Sequence, residues 1–416
     1  MQEKIILFAS PVFFVLLATE FIVALRRQRH TYRINDAISS ISLGIMSQIS
    51  AVFLKVFVIG IYAWVARHFA LFQLSADSVW VWVSGLLLYD FLYYWLHRMG
   101  HHTNLLWAAH VVHHQSEEYN LSTALRQTST GPLFGLIFYM PLAILGFPLQ
   151  VYVVVALIDL IYQFWIHTQQ INKLGWFDRV FVSPSNHRVH HAVNDLYLDK
   201  NFGGILIIWD RIFGTYAEEQ DTHPAVFGTR KPLQSWNPLW ANLEVYQAVA
   251  LDAWRTKRWS DKFKIWLMPP GWLPADLASQ NKTTPFNLNH PIYNPPLSTG
   301  MLWYCLAQFT MTMHTTTHFL LSAPSANFAS SALYAIWLFA GFWIVGGLLE
   351  QRRKFIVLES LRLILGAAMV VYSPMWFGIV YLPLWAQVGI IGTCLISLFS
   401  LGMIVRNSSI SVLHTN

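Results

Sequence analysis

An all-α integral membrane protein is predicted by three features of this 416-residue chain. Hydrophobic residues make up 55% and charged residues 12%; the apolar residues gather in runs of the length that a bilayer crossing needs, ~20 residues; and ten of the 17 histidines fall between His97 and His191. A mean hydropathy of +0.42 leaves too little polar surface to cover a soluble globule of this size. The expected architecture is about nine transmembrane helices carrying a cytoplasmic, histidine-rich di-metal cap.

The first apolar run, Ile5–Leu25, has no basic stretch before it and is followed at once by Arg26, Arg27, Arg29 and Arg33. It reads as a retained anchor whose C-terminal end lies in the cytoplasm, not as a cleaved leader. Runs at 38–65 and 79–96 come next. The long run 131–166 contains Gly146 and Pro148 at its middle, and these residues split it into a helical hairpin. After a polar stretch, four further runs lie near 298–320, 330–349, 360–380 and 383–405, which brings the count to nine. With the N-terminus outside, only Lys4 and Arg67 of the 27 lysines and arginines fall on the outer side and Lys55 within a span, leaving 24 inside. That asymmetry is what the positive-inside rule demands.

Four regions follow: N-terminal transmembrane helices at 1–96, a histidine-rich catalytic region at 97–216 that includes the hairpin 131–166, a cytoplasmic or interfacial segment at 217–297, and a C-terminal four-helix transmembrane bundle at 298–406. Within the third, Trp254–Trp266 mixes aromatics with lysine and arginine, as a helix at headgroup level does. The net charge of +6 does not point to nucleic acid, because the basic residues form short clusters between apolar runs and no continuous basic face. The two cysteines, Cys305 and Cys394, lie in apolar stretches, so neither a disulfide framework nor a cysteine-based metal site is available.

The histidines are spaced for metal. His97 and His101 are four apart; His110, His113 and His114 form HxxHH, and His187, His190 and His191 form it again. Residues three and four apart share a helix face, so each group is expected to aim its imidazoles at one point. Eight neutral imidazoles exceed what one tetrahedral zinc takes, and two metals are expected. His167, just after the hairpin on the same side, supplies a ninth nitrogen. His102 is rotated by about 100° from its neighbour His101 on a helix and is left out of the ligand set. A further HxxxH, His314 and His318, sits among Thr312, Thr315, Thr316 and Thr317 inside a span, where helix-to-helix hydrogen bonding is the expected role. Asp90, seven residues before His97 and on the same helix face, is placed to orient a ligand as a hydrogen-bond acceptor.

These boxes resemble those of the fatty acid hydroxylase and sterol desaturase superfamily. Within it, the strings HRMGH (97–101), LWAAHVVHHQSEEYNLSTALRQ (106–127), YQFWIHT (162–168), SNHRVHH (185–191) and DKNFGGILIIWDRIFGTY (199–216) resemble the alkylglycerol monooxygenase family. The resemblance implies a membrane di-iron enzyme that cleaves the O-alkyl bond of glycerol ethers with molecular oxygen and tetrahydrobiopterin. Carried over by position, the family's eight box histidines fall on His97, His101, His110, His113, His114, His187, His190 and His191. Glu117, Glu118, Asn120, Arg126, Asn186 and Asp199 lie in the same strings as candidates for ligand support or headgroup contact. Two positions depart: His102 and Gln169 stand where the family has glutamate, so the identity of the reductant turns on them.

No GxGxxG fingerprint and no fused haem-binding module is present in the sequence, so electrons are expected from an external donor, a reduced pterin or a redox protein. The substrate is expected to be a membrane lipid and the membrane either the bacterial inner membrane or the endoplasmic reticulum. The competing readings are another lipid hydroxylase or desaturase of the superfamily, a zinc membrane hydrolase and a metal transporter. The hydrolase lacks an HExxH glutamate, and a transporter places its ligands at the midplane of broken helices.

Overall fold

The computed structural model describes residues 2–278 and 286–413, so the predicted 217–297 segment is seen without 279–285. A helix occupies every predicted apolar run: α1 (Gln2–Arg26), α2 (Ile34–Phe69), α3 (Val79–His102), α4 (Gly131–Ile144) and α5 (Leu149–Trp165) in the first half. The second half holds α8 (Thr299–Ser322), α9 (Phe328–Leu349), α10 (Arg353–Tyr372) and α11 (Leu384–Leu413). Between them lie α6 (Pro184–His191) and α7 (Pro238–Arg255), with several single-turn helices. Among the described residues five helices are long and apolar enough to cross a membrane: Ile34–Phe69, Val79–His102, Phe328–Leu349, Arg353–Tyr372 and Leu384–Asn407; α4 and α5 are apolar but shorter. The chain is an integral membrane protein.

Two compact units divide the chain: Met1–Leu233 with Ala241–Ile292, and Gln234–Trp240 with Tyr293–Asn416. The core of the first is a cluster drawn from α2 to α5, including Tyr62, Tyr89, Leu142, Phe147, Val151 and Val155. Tyr62 stacks on Tyr152 and Tyr89 on Tyr139, each pair with ring centroids 4.4 Å apart. The α4–α5 hairpin turns at Gly146, whose φ of +86° is the left-handed region that glycine enters without steric cost. A Cβ there would lie 1.9 Å from the Phe72 carbonyl oxygen, so the turn also depends on a close approach to the loop after α2. In the same unit, Trp254, Trp259 and Phe263 are exposed, while Val249, Ala253 and Ile265 face an inner cluster with Trp266 and Trp272. The Lys262 ammonium lies 5.9 and 5.8 Å from the Trp254 and Trp259 rings. One aromatic face with cations beside it is the pattern expected at a headgroup surface.

The second unit departs from expectation in three places. The run 360–380 is helical only to Tyr372; beyond it a short hairpin pairs Met375 with Tyr381 and Trp376 with Val380. Pro374 cannot continue the helix, and Phe377 and Gly378 turn the chain at φ +51° and +70°. Arg362, counted among the cytoplasmic cations, lies inside α10. Its guanidinium bonds Glu359 at 2.8 Å and the Gln308 carbonyl at 2.9 Å, and Tyr304 donates to Glu359 at 3.0 Å. The threonine side chains around His314 bond within their own helix: Thr312, Thr315 and Thr316 each bond the carbonyl four residues back in α8 at 2.7–2.8 Å. Between helices Tyr334 of α9 meets His318 Nδ1 at 3.0 Å and donates to the Thr315 carbonyl at 3.1 Å.

Gly146→Ala is expected to be far more damaging than Gly175→Ala. Both positions have positive φ, but nothing lies within 4 Å of a Cβ at Gly175, so alanine there carries only the backbone term of roughly 1–3 kcal/mol, whereas at Gly146 the clash adds to it. Thermal unfolding of the detergent-solubilised variants checks the order; equal shifts would remove the close approach as a constraint.

Candidate metal centre

Three chain segments deliver the box histidines to one end of the first unit. His97 and His101 occupy the last two turns of α3. His110 caps the single turn Val111–His114 that carries His113 and His114. His187, His190 and His191 lie on α6, which opens with Ser183 accepting the Asn186 N–H at 3.3 Å and with Pro184 in its first turn, a strong helix start. His167 follows the C-terminal end of α5.

The nine side chains form two sets. In one, ligand atoms of His97, His101, His110, His114 and His190 all lie within 4.8 Å of one another; in the other, those of His113, His167, His187 and His191 do. The expectation that each HxxHH box aims at one point is therefore corrected: each box is divided. His113 and His114 serve different sets, as do His190 and His191, because adjacent residues on a helix are rotated by about 100°. The rings of His114 and His191, one from each set, stack at 4.3 Å.

What these sets can hold follows from their hydrogen bonds. The Nδ1 atoms of His97, His113, His167 and His190 lie 2.8, 3.0, 2.7 and 2.9 Å from the carbonyl oxygens of Phe202, Arg126, Gln163 and Lys200. A carbonyl only accepts, so each Nδ1 carries the proton and each Nε2 of the neutral ring presents a bare lone pair. Yet His113 Nε2 and His167 Nε2 are 3.1 Å apart. Two lone pairs at that distance repel unless a cation lies between them. Further Nε2 pairs measure 3.0 Å for His97–His110 and His110–His114, 3.1 Å for His167–His187 and His113–His191, and 3.2 Å for His114–His190 and His187–His191. With metal–nitrogen bonds of ~2.1 Å, such separations subtend about 90–100° at the ion, which suits metals bound by several imidazoles. His101 Nε2 is buried with no hydrogen-bond partner among the described residues. The residues present thus fit two metal ions, and among the described residues neither set includes a carboxylate or thiolate.

Burial keeps the rings in the ligating state. It pushes His110, His114, His167, His187, His190 and His191 well below the ordinary histidine value, with the neighbouring imidazoles adding to the effect, and it takes His113 to about 4. Phe202, fully buried, places its ring 5.2 Å from His101 and 5.8 Å from His97 and His190, which keeps water from that side. His102 also meets Phe202, at 6.0 Å, and joins neither set.

The supporting residues act mostly through the backbone. Asp90 does not touch His97 and so is not its direct acceptor. Its carboxylate takes the N–H groups of Ile205 and Leu206 and the Trp209 indole at 2.7, 3.1 and 2.8 Å. Asp210 takes the N–H groups of Phe202 and Gly203 at 2.7 and 2.8 Å. Together they fix the loop whose carbonyls orient His97 and His190. Asp199, at φ +55°, is the one carboxylate among the described residues that meets a box histidine directly, 3.3 Å from His101 Nδ1. The Arg126 side chain is also not a headgroup contact. It is fully buried, its Nε bonds the Val112 carbonyl at 2.6 Å, and only its own carbonyl meets a histidine. Glu118 pairs with Arg33 at 2.5 Å and Glu117 with His290 at 2.8 Å. Asn120 caps the turn 121–124 and donates to the Thr31 carbonyl at 2.6 Å; Asn186 donates to the carbonyls of Asp178 and Phe181. Gln169 donates to the Tyr119 carbonyl at 2.9 Å and lines an open polar cleft with Arg188, Glu219 and Phe227. Sequence reasoning missed Asp210, although it lies in one of the resembling strings, and Glu20, which holds Thr168 beside His167 and accepts the Leu121 N–H at 2.8 Å.

The fatty acid hydroxylase family model matches residues 82–215, a span that contains all nine histidines, and the chain is a lipid monooxygenase with a fatty acid hydroxylase domain. Alkylglycerol monooxygenase of Homo sapiens is 34% identical over 357 residues, covering 85% of this chain and 80% of the relative. That of Danio rerio is 35% identical over 363 residues, covering 86% and 80%. The chain belongs to the alkylglycerol monooxygenase family. Ornithine lipid hydroxylase of Rhizobium tropici is 30% identical over 135 residues, 32% of this chain and 41% of its own. No solved structure matches the chain.

Elemental analysis of the reconstituted protein is expected to give two metal ions per chain. His113→Ala and His187→Ala should each lower the figure towards one, because both strip the four-histidine set and leave the five-histidine set intact. A wild-type protein that saturates at a single ion would remove the two-set reading.

Proposed function

We propose that the chain is a di-iron, oxygen-dependent monooxygenase that cleaves the O-alkyl bond of alkylglycerols. The observation that carries the reading is the pair of buried sets of neutral imidazoles whose Nε2 lone pairs face one another; the relatives' printed activity supplies the substrate class. One oxygen atom is inserted into a C–H bond of the methylene beside the ether oxygen. The other leaves as water with two electrons and two protons from an external donor. The resulting hemiacetal breaks into a fatty aldehyde and a glycerol derivative.

His97, His101, His110, His114 and His190 would hold one iron, and His113, His167, His187 and His191 the other. Bound iron supplies oxygen activation and accepts the donor's electrons. The chain's own part is to fix four of the Nε2 atoms, those of His97, His113, His167 and His190, by a carbonyl on Nδ1 and to keep the centre dry with Phe202 and Tyr119, both fully buried against the imidazole rings. A dry site protects the oxidising species from water. A reduced pterin is the favoured donor. Gln169 beside the polar cleft is the position at which the missing glutamate bears on that choice. For the membrane arrangement, nine spans with the histidine face in the cytoplasm remain the preferred reading; with Arg362 reassigned to a span, 23 of the 24 cations support it. The absence of a carboxylate from both sets, among the described residues, disfavours a zinc hydrolase, which needs a general base at the metal.

Purified, iron-loaded protein is expected to release aldehyde from a 1-O-alkylglycerol only with oxygen and reduced tetrahydrobiopterin. His114→Ala and His190→Ala should lower turnover more than ~100-fold, beyond the usual 10–100-fold effect of outer partners, while membrane insertion persists. Gln169→Glu should lower the pterin concentration needed for half-maximal rate. Oxygen consumption without aldehyde would redirect the reading to another lipid, and oxygen-independent cleavage would end it.

A further inference from the structure

An apolar cavity of about 160 Å³ lies in the first unit between α1, α2, α5 and the turn 121–127, and one wall of it is His167. Phe13 and Phe14 of α1, Ile45 of α2 and Leu157 and Ile161 of α5 line it. Along α5 it reaches from Leu157 to Phe164, seven residues or ~10 Å at 1.5 Å per residue, and on to His167 just past the helix end. Phe14, Leu160 and Ile161 border the cavity and are also 40%, 43% and 41% exposed on the outer face of apolar helices. The cavity therefore opens sideways, towards hydrocarbon. Apart from His167, its lining contains no titratable side chain; its polarity comes from Ser47, Gln48, Gln127 and Gln163.

We infer that this cavity receives one unbranched alkyl chain directly from the bilayer, between α1 and α5, and that it delivers the reacting methylene to the four-histidine set. This rests on the lipid monooxygenase reading and makes the two sets unequal: the substrate meets the set containing His167, and the five-histidine set lies away from it. A charged headgroup finds no ionic partner on these walls, so the tail lies along Leu157 and Ile161 and the neutral ether end, one bond from the reacting methylene, lies at Gln163 and His167. Lipid tails are as apolar as leucine, so leaving the bilayer for the cavity gains little hydrophobic energy, and shape does the selecting.

The test uses full-length protein in nanodiscs, stripped of metal, with two photoactivatable 1-O-alkylglycerols carrying a diazirine near the ether or near the tail end. Peptide mapping should place the ether-end label around Gln163–His167 and the tail-end label on Phe13, Phe14, Leu157 or Ile161, with excess unlabelled alkylglycerol competing both away. Leu157→Trp and Ile45→Trp should abolish the tail-end label and, in iron-loaded protein, lower long-chain relative to short-chain turnover at least tenfold. Uncompeted labelling spread over the outer helix faces, or an ether-end label on the His97–His110 peptide, would overturn the inference. Because labelling needs no metal, it succeeds even where the oxygenase reading fails; turnover without competed labelling would sink the cavity alone.

Discussion

The lone pair on Nε2 is the constraint that orders this structure. A buried imidazole can satisfy one nitrogen with a carbonyl and leave the other bare only if something electrophilic meets the bare one. Four of the nine ring systems are tied in this way by Nδ1, and their Nε2 atoms converge to 3.0–3.2 Å of other histidines. Without a cation such an arrangement holds uncompensated repulsion in a medium of low dielectric, where it is felt more strongly than in water. The scaffold must therefore be rigid enough to hold the rings before metal arrives. That rigidity comes from carboxylates one layer out, which grip backbone N–H groups and not the rings themselves.

Asp90 and Asp210 illustrate the layering. Each accepts two backbone N–H groups of the loop 202–206, and each also takes a third donor, the Trp209 indole or the Thr215 hydroxyl. The loop cannot shift without breaking several charge-assisted bonds at once, so the Phe202 carbonyl that orients His97 is fixed by anions that never touch the ring. Gly204 lets this happen: a Cβ there would lie 2.6 Å from Asp159 Oδ1 and 3.0 Å from Asp90 Oδ1. Among the described residues neither histidine set includes a carboxylate, so a cation bound in either would have its charge offset only through space, in part by these anions.

The clustered histidines were more legible in the sequence than the residues that support them. Histidine spacing and the position of His167 identified all nine ring systems, because helical periodicity is local and survives in the string of letters. It did not reveal the division of each HxxHH box between two sets, although the rotation of about 100° that excluded His102 beside His101 applies equally to His113 beside His114. The acceptors for Nδ1 were largely invisible, since the carbonyls of Phe202, Arg126, Gln163 and Lys200 have no side-chain signature. Apolar runs located the helices, but not how the run at 360–380 ends. Hydropathy reads Arg353–Tyr372 and the hairpin after it as one stretch, whereas Pro374 and the left-handed pair Phe377 and Gly378 divide them. Arg362 misled the charge count for a similar reason: a cation in a span is legible only with its partners, Glu359 and Gln308.

Those partners show how the chain treats charge in its apolar regions. Glu359 and Arg362 meet through two bonds of 2.8 Å, and Tyr304 and Gln308 satisfy what remains. Gln308 in turn donates to Ser397 at 2.8 Å, so the network ties α8, α10 and α11 together. An ion pair with every polar atom answered adds little net stability over a well-packed apolar replacement, but removing one member strands the other in a medium that cannot solvate it. The histidine sets follow the opposite logic. Four of their rings have Nδ1 answered by a carbonyl while their Nε2 atoms face other histidines at 3.0–3.2 Å, where a bound cation would meet the lone pairs. The two kinds of buried polar group contrast in their partners: Glu359 and Arg362 close on one another, while His101 Nε2 has no hydrogen-bond partner among the described residues and the Nε2 atoms of His113 and His167 face each other at 3.1 Å.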